Sequence, residues 1–199
     1  DYEESANKVE VAFKSSEGAV KNWAKGTLKA YGIAEGSALD YAALYGDMAT
    51  GMGLSTGEAA KMSTSLVGLA GDLSSFNMSL DRVKTALNGI FTGETEALKS
   101  LGIVMTETNL QEYALSAGIT KSMKSMTQAE KVQLRYGYVL AMTKNAQGDF
   151  LRTQGGAANQ TRIFTESMKQ LGQSFGKLLL PEITPMIVKL NGLVKKFSE

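Results

Sequence analysis

The sequence predicts an all-α fold, a compact multi-helix domain of short helices that end in glycine. Three observations predict it. Apolar residues recur at steps of three and four rather than alternating. Ser/Thr-x-x-Glu/Gln pairs stand at the starts of several such runs, and Xaa-Gly-Ile triplets stand at the ends of others. The two prolines, Pro181 and Pro185, both fall late, so no pyrrolidine ring interrupts the chain before them.

The first expected helix, near 3–31, carries Tyr2, Ala6, Val9, Phe13, Ser16, Val20 and Trp23 at steps of 4, 3, 4, 3, 4 and 3. That spacing is a heptad seam, which fits either a coiled-coil-like N-terminal extension or an amphipathic helix packed on the domain. Ser16 within the seam and Gly18 within the helix favour the second. A helix near 36–51 follows. The run 55–76 sets Ala59, Met62, Leu66, Leu69, Ala70, Leu73 and Phe76 on one face, and Ser55 with Glu58 forms a capping box at its start. Helices are then expected near 79–91, 94–101, 108–117 (opened by Thr108 and Gln111), 127–145 (opened by Thr127 and Glu130), 158–180 and 185–197. Thr184 can cap the last of these, and Pro185 suits its first position. Ile183, Met186, Ile187, Leu190, Val194 and Phe197 form its apolar stripe, opposite Lys189, Lys195 and Lys196. Segments 102–107, 118–126 and 147–157 read as loops, the last because of Gly148, Gly155 and Gly156.

The triplets Tyr31-Gly32-Ile33, Leu101-Gly102-Ile103 and Ala117-Gly118-Ile119 place a left-handed glycine at a helix end, with the next residue packing back on the last turn. Gly68, Gly71, Gly89, Gly137 and Gly172 fall inside expected helices. Each costs about 1 kcal/mol relative to Ala, so their presence predicts close approach of backbones. The expected organisation is an N-terminal helix over 1–31, then a helical module over 32–199.

Composition excludes several classes of function. With 43% hydrophobic and 21% charged residues the 199-residue chain resembles an ordinary globular domain rather than a disordered one. It holds neither Cys nor His, which removes disulfides, thiolate nucleophiles, the commonest general base and the commonest transition-metal ligands. No apolar run approaches the ~18 residues of a membrane span, and the expected setting is intracellular or a particle assembled there. The start at Asp1 and the end at Glu199 suggest a piece of a longer polypeptide. Residues 1–50 carry five Lys against eight Asp and Glu, a net of −3, whereas 151–199 carry seven Lys and Arg against three Glu, a net of +4. A solvated helix surface accounts for a basic end of this size, and no specific nucleic-acid interface is expected.

No chemical motif is complete. The stretch Gly46 to Gly57 has Met52 where a phosphate loop needs Lys, and its glycine spacing is too long for a dinucleotide fingerprint. Ser5 with Lys8 and Ser174 with Lys177 match Ser-x-x-Lys, but neither partner motif of a serine acylase is present. Glu94 and Glu96 sit two apart on a helix and do not face each other. No catalytic, cofactor-binding or metal-binding residue is assigned, and the chain is not expected to be an enzyme.

Longer stretches are more specific. Met48 to Ser55, Ala59 to Phe76, Gly89 to Glu107, Glu130 to Tyr136, Ala146 to Thr153 and the pair Leu180-Pro181 together resemble tape measure proteins of long-tailed phages and prophages of Gram-positive bacteria. The resemblance covers roughly residues 30–190. It implies a structural role in virion assembly: such proteins run as extended helical chains in the growing tail tube, set its length and take part in genome ejection. It also implies a location inside the virion tail after assembly in the host cytoplasm. The implied partners are tail tube and tail tip proteins, tail assembly chaperones and further copies of the chain, a trimer fitting a three-fold tail axis. The peptidoglycan hydrolase activity carried elsewhere in some family members is not transferred, for want of its residues. A membrane-active helical protein that inserts into or lies on the host membrane during DNA delivery is the alternative, resting on the 183–197 stripe and the glycine content. Since the glycine stops fold the chain back on itself, the segment reads as a compact module beside the ruler, joined to it through 1–31.

Overall fold

A computed structural model describes residues 2–74 and 78–197, and beyond Ser174 it places the side chains of Pro181, Thr184, Pro185 and Val188 alone. In chain order the helices are α1 (Tyr2–Phe13), α2 (Glu17–Ala24), α3 (Thr27–Tyr31), α4 (Glu35–Gly51), α5 (Thr56–Ser74), α6 (Leu80–Leu87), α7 (Gly89–Thr92), α8 (Glu107–Ser116), α9 (Gln128–Met142), α10 (Asp149–Thr153) and α11 (Ala157–Phe197). Short 3₁₀ segments occupy Lys14–Ser16, Glu96–Leu101 and Met123–Ser125. The described residues contain no strand, and the fold is all-α.

The sequence-encoded start and stop signals act largely where expected. Ser55 Oγ accepts from the Glu58 amide at 3.3 Å while the Glu58 carboxylate accepts from the Ser55 amide at 3.0 Å, closing the capping box of α5. Thr127 and Glu130 do the same for α9 at 3.2 and 2.7 Å. The third pair is displaced: Thr106, not Thr108, caps α8, accepting from the Asn109 amide at 3.1 Å. Gly32, Gly102 and Gly118 all adopt left-handed φ, and the amides of Ile33, Ile103 and Ile119 reach back to Thr27, Leu98 and Ala114. Gly53 makes a fourth such stop, with the Leu54 amide on the Ala49 carbonyl at 3.1 Å.

The core is one apolar cluster running from Val9 in α1 to Val139 in α9. Helices α4 and α5 lie at its centre, α1 packs along α4, and α6 flanks α5. Of the expected α5 face, Ala59, Met62, Leu66, Leu69, Ala70 and Leu73 are all buried; Phe76 lies outside the described residues. Each fully buried large apolar side chain contributes about 1.5 to 3 kcal/mol relative to exposure. Gly46 receives the ring of Phe13, and Gly137 receives the hydroxyl end of Tyr113. Tyr45 stacks on Phe91 with ring centroids 5.7 Å apart, and its hydroxyl donates to the Lys84 carbonyl at 3.1 Å.

Three expectations are corrected. The 3–31 helix is broken: Lys14 takes a φ of 47°, a left-handed conformation unusual for a residue with a β-carbon, and the chain turns through Lys14–Ser16 before α2. Val9, Phe13 and Val20 from the heptad seam are buried in the shared core, so this segment is part of the domain and no coiled-coil extension. The segment 147–157 contains α10, because its first amides find a carboxylate partner far away in sequence. The two helices expected on either side of Pro181 are one: α11 runs unbroken for 41 residues, about 62 Å at 1.5 Å per residue. Pro181 and Pro185 each remove one helix hydrogen bond without ending it. The side chains of the 183–197 stripe and its lysines, apart from Thr184, Pro185 and Val188, lie outside the described residues.

Candidate functional site: a polar clasp beneath the long helix

Helix α4 begins at Ala34, which has no side chain to cap it. An α-helix leaves its first amides without partners in the helix, and a buried start must find them elsewhere. They are found on α11. Glu166 accepts from the Ala34 amide at 3.0 Å, Gln170 from the Glu35 amide at 3.3 Å and Gln173 from the Gly36 amide at 3.2 Å. Residues 166, 170 and 173 fall at steps of four and three, which puts them on one face of α11. Glu166 is only 4% exposed, and its charge lies against the positive end of the α4 dipole. Its other oxygen meets the Lys169 ammonium at 2.5 Å.

One turn earlier, Arg162 extends the contact. Its guanidinium donates to the Tyr31 carbonyl at 3.0 Å and to the Ser74 hydroxyl, and lies 4.6 Å over the Phe150 ring. Burial holds the Arg162 pKa below its ordinary value, partly offset by the Glu166 and Asp72 carboxylates. Its Nε is buried without a partner.

Asp72, near the end of α5, performs for α10 what Glu166 does for α4. Its carboxylate accepts from the Gly148 amide at 2.8 Å and the Phe150 amide at 3.2 Å. Burial raises the Asp72 pKa, an effect larger than the opposing one of those two amides. Two helix starts are thus capped by side chains 76 or more residues away, and neither cap has a local sequence signature.

Among the described side chains of α11, the docked face is largely polar, with Ile163 half-buried, and the exposed side carries an apolar row. Asn159 and Glu166 are its buried side chains among those described, and no described residue of α11 belongs to the apolar core. Phe164, Met168 and Leu171 are 67%, 52% and 49% exposed. An amphipathic surface helix ordinarily faces its apolar side inward, so here the arrangement is inverted. A neutral hydrogen bond such as those of Gln170 and Gln173 contributes about 1 kcal/mol net, and one to a charged group such as Glu166 or Arg162 about 1.5 to 3 kcal/mol. The arrangement holds one helix against another; among the described residues it sets no nucleophile or acid–base pair around a cavity.

The residues singled out for chemistry are not gathered. Ser5 is buried while Lys8 faces outward to Glu4 at 3.0 Å and Asp40 at 3.1 Å. Ser174 bonds the Gln170 carbonyl, and the side chain of Lys177 lies outside the described residues. Glu96 pairs with Lys99 at 2.8 Å on an exposed 3₁₀ turn, with Glu94 exposed nearby. Gly51-Met52-Gly53 simply ends α4. Among the described residues no group of three or more acidic side chains could hold a metal ion, and no helix is long and apolar enough to cross a membrane. Sequence reasoning missed the clasp, since its only signal is the polar spacing of Arg162, Glu166, Gln170 and Gln173. Comparison of the chain with protein-family models, curated proteins and solved structures finds no match.

Proposed function

We propose that this chain is a structural module of a phage tail tape measure protein, serving tail assembly and tail-length determination and taking part in genome ejection. The observation that carries the reading is α11: a 41-residue helix leaves a compact helical body and supplies about 62 Å of continuous rise. A helix of fixed rise per residue is a physical ruler, and the body formed by α1 to α10 is a globular attachment to it. The resemblance of residues 48–76, 89–107 and 130–153 to the tape measure family supports the same role. On this reading α11, in place of residues 1–31, is the connection to the ruler. The partners are tail tube and tail tip proteins, tail assembly chaperones and other copies of the chain; the location is the tail interior; the chain has no catalytic duty.

The test is genetic and structural. Purified tail particles from a phage encoding this chain should contain it by mass spectrometry, and in-frame deletion of its coding segment should abolish tails or change their length in electron micrographs. Particles lacking the chain, with tails of normal length in the deletion, would end the reading. The second reading, a helix that lies on the host membrane, is favoured by exposed Phe164, Met168 and Leu171. Leakage of anionic vesicles caused by the intact chain and lost on removing residues 181–199 would select it.

A further inference from the structure

We infer that α11 is a detachable strap, which lifts off the start of α4 as a unit while the body stays folded. Five observations lead there. The described contacts of α11 with the first turn of α4 include three hydrogen bonds that its polar side chains accept from backbone amides: Glu166 from Ala34, Gln170 from Glu35 and Gln173 from Gly36. Water takes over those partners when the strap lifts, so little is lost beyond geometry. The described part of α11 contributes no side chain to the apolar core, although Arg162 covers the Phe150 ring of the body.

The docked state is also imperfect. Arg162 is buried with its Nε unsatisfied, and burial disfavours its charge; lifting relieves both. A pivot is in place where Gly155 and Gly156 join α10 to α11, since a β-carbon on either would meet no side chain, and Asn159 of α11 bonds Thr153 of α10 across it. The exposed row of Phe164, Met168 and Leu171 means that docking leaves the oily side of α11 in water.

Hydrogen exchange on the full chain across a urea series tests this. The amides of Ala34, Glu35 and Gly36 bond side chains of the strap, whereas those of Ala42 and Tyr45 are inside α4 and report unfolding of the body. The expected result is exchange at 34–36 at least about a hundredfold faster than at 42 and 45, with a smaller urea dependence than theirs, since lifting exposes less surface than unfolding the body. Glu166→Gln should speed the three strap amides about tenfold and leave Ala42 and Tyr45 unchanged. Equal rates and urea slopes at the two sets overturn the proposal, as does a Glu166→Gln effect spread over both. Absence of protection at 34–36 overturns it too, since no strap would then be held.

A second measurement covers a variant that fails to fold. Because the chain has no cysteine, spin labels at Lys29→Cys and Thr165→Cys report one separation unambiguously. A short distance with a minor longer population supports lifting, and one short distance that persists until the body unfolds excludes it.

Discussion

Tyr31 lies so close over Gly71 that a methyl group on that glycine would sit 2.7 Å from the tyrosine β-carbon and 2.9 Å from its carbonyl oxygen. The obstacle is backbone and the root of a side chain, and neither can swing aside. Gly71→Ala should therefore destabilise the fold by about 1 to 3 kcal/mol, although helix propensity favours Ala by about 1 kcal/mol. At Gly172 the space is open, and Gly172→Ala should raise the thermal midpoint followed at 222 nm. Matching shifts at the two positions would mean that propensity alone governs both.

Leu66 is fully buried at the centre of α5. Leu66→Ala leaves a cavity that the surrounding helices cannot close, at a cost of about 2 to 5 kcal/mol. Urea unfolding by circular dichroism gives the value directly, and a loss below about 1 kcal/mol would show that this face is not packed.

Thr127 holds the first turn of α9 through the Glu130 amide. Thr127→Ala should cost about 1 kcal/mol, whereas Thr108→Ala, at a position inside α8 rather than at its cap, should cost less. Paired urea midpoints decide whether the two threonines differ.

Asp72 has a folded-state pKa raised above its ordinary 3.8, chiefly by burial. A carboxyl of that kind binds its proton more tightly when folded, so its contribution is fully present at acid pH and fades as pH rises through the folded value. Compared with Asp72→Asn, the native chain should have its largest stability advantage near the unfolded value and lose part of it towards neutrality. A pH series of urea midpoints for both chains reads this, and an advantage that grows with pH would reverse the assignment.

What was legible in the sequence was what is settled between neighbours. Ser55 and Glu58 are three apart, Gly32 precedes the isoleucine that packs back, and the α5 face repeats within one helix; each can be read without knowing the fold. The break at Lys14 carries no glycine or proline, and the packing of α1 on α4 overrides the longer heptad pattern. The clasp was illegible for a related reason: Ala34 has no capping side chain, and its partner Glu166 is 132 residues away. The start of α10 was misread as a loop because its carboxylate, Asp72, belongs to α5. Pro181 and Pro185 suggested a boundary, yet a helix can lose two hydrogen bonds and continue when its other turns are intact.

The reach of α11 past Gln173, which bonds the Gly36 amide, has a mechanical consequence. From Gln173 to Phe197 the helix projects about 36 Å at 1.5 Å per residue. With Gln173 as fulcrum, a tilt of about 10° displaces the far end by about 6 Å, more than one helical turn. The same tilt moves Glu166, about 10 Å to the other side of that fulcrum, by only about 2 Å, so a small shift at the clasp is geared up into motion large enough for a neighbouring molecule to feel.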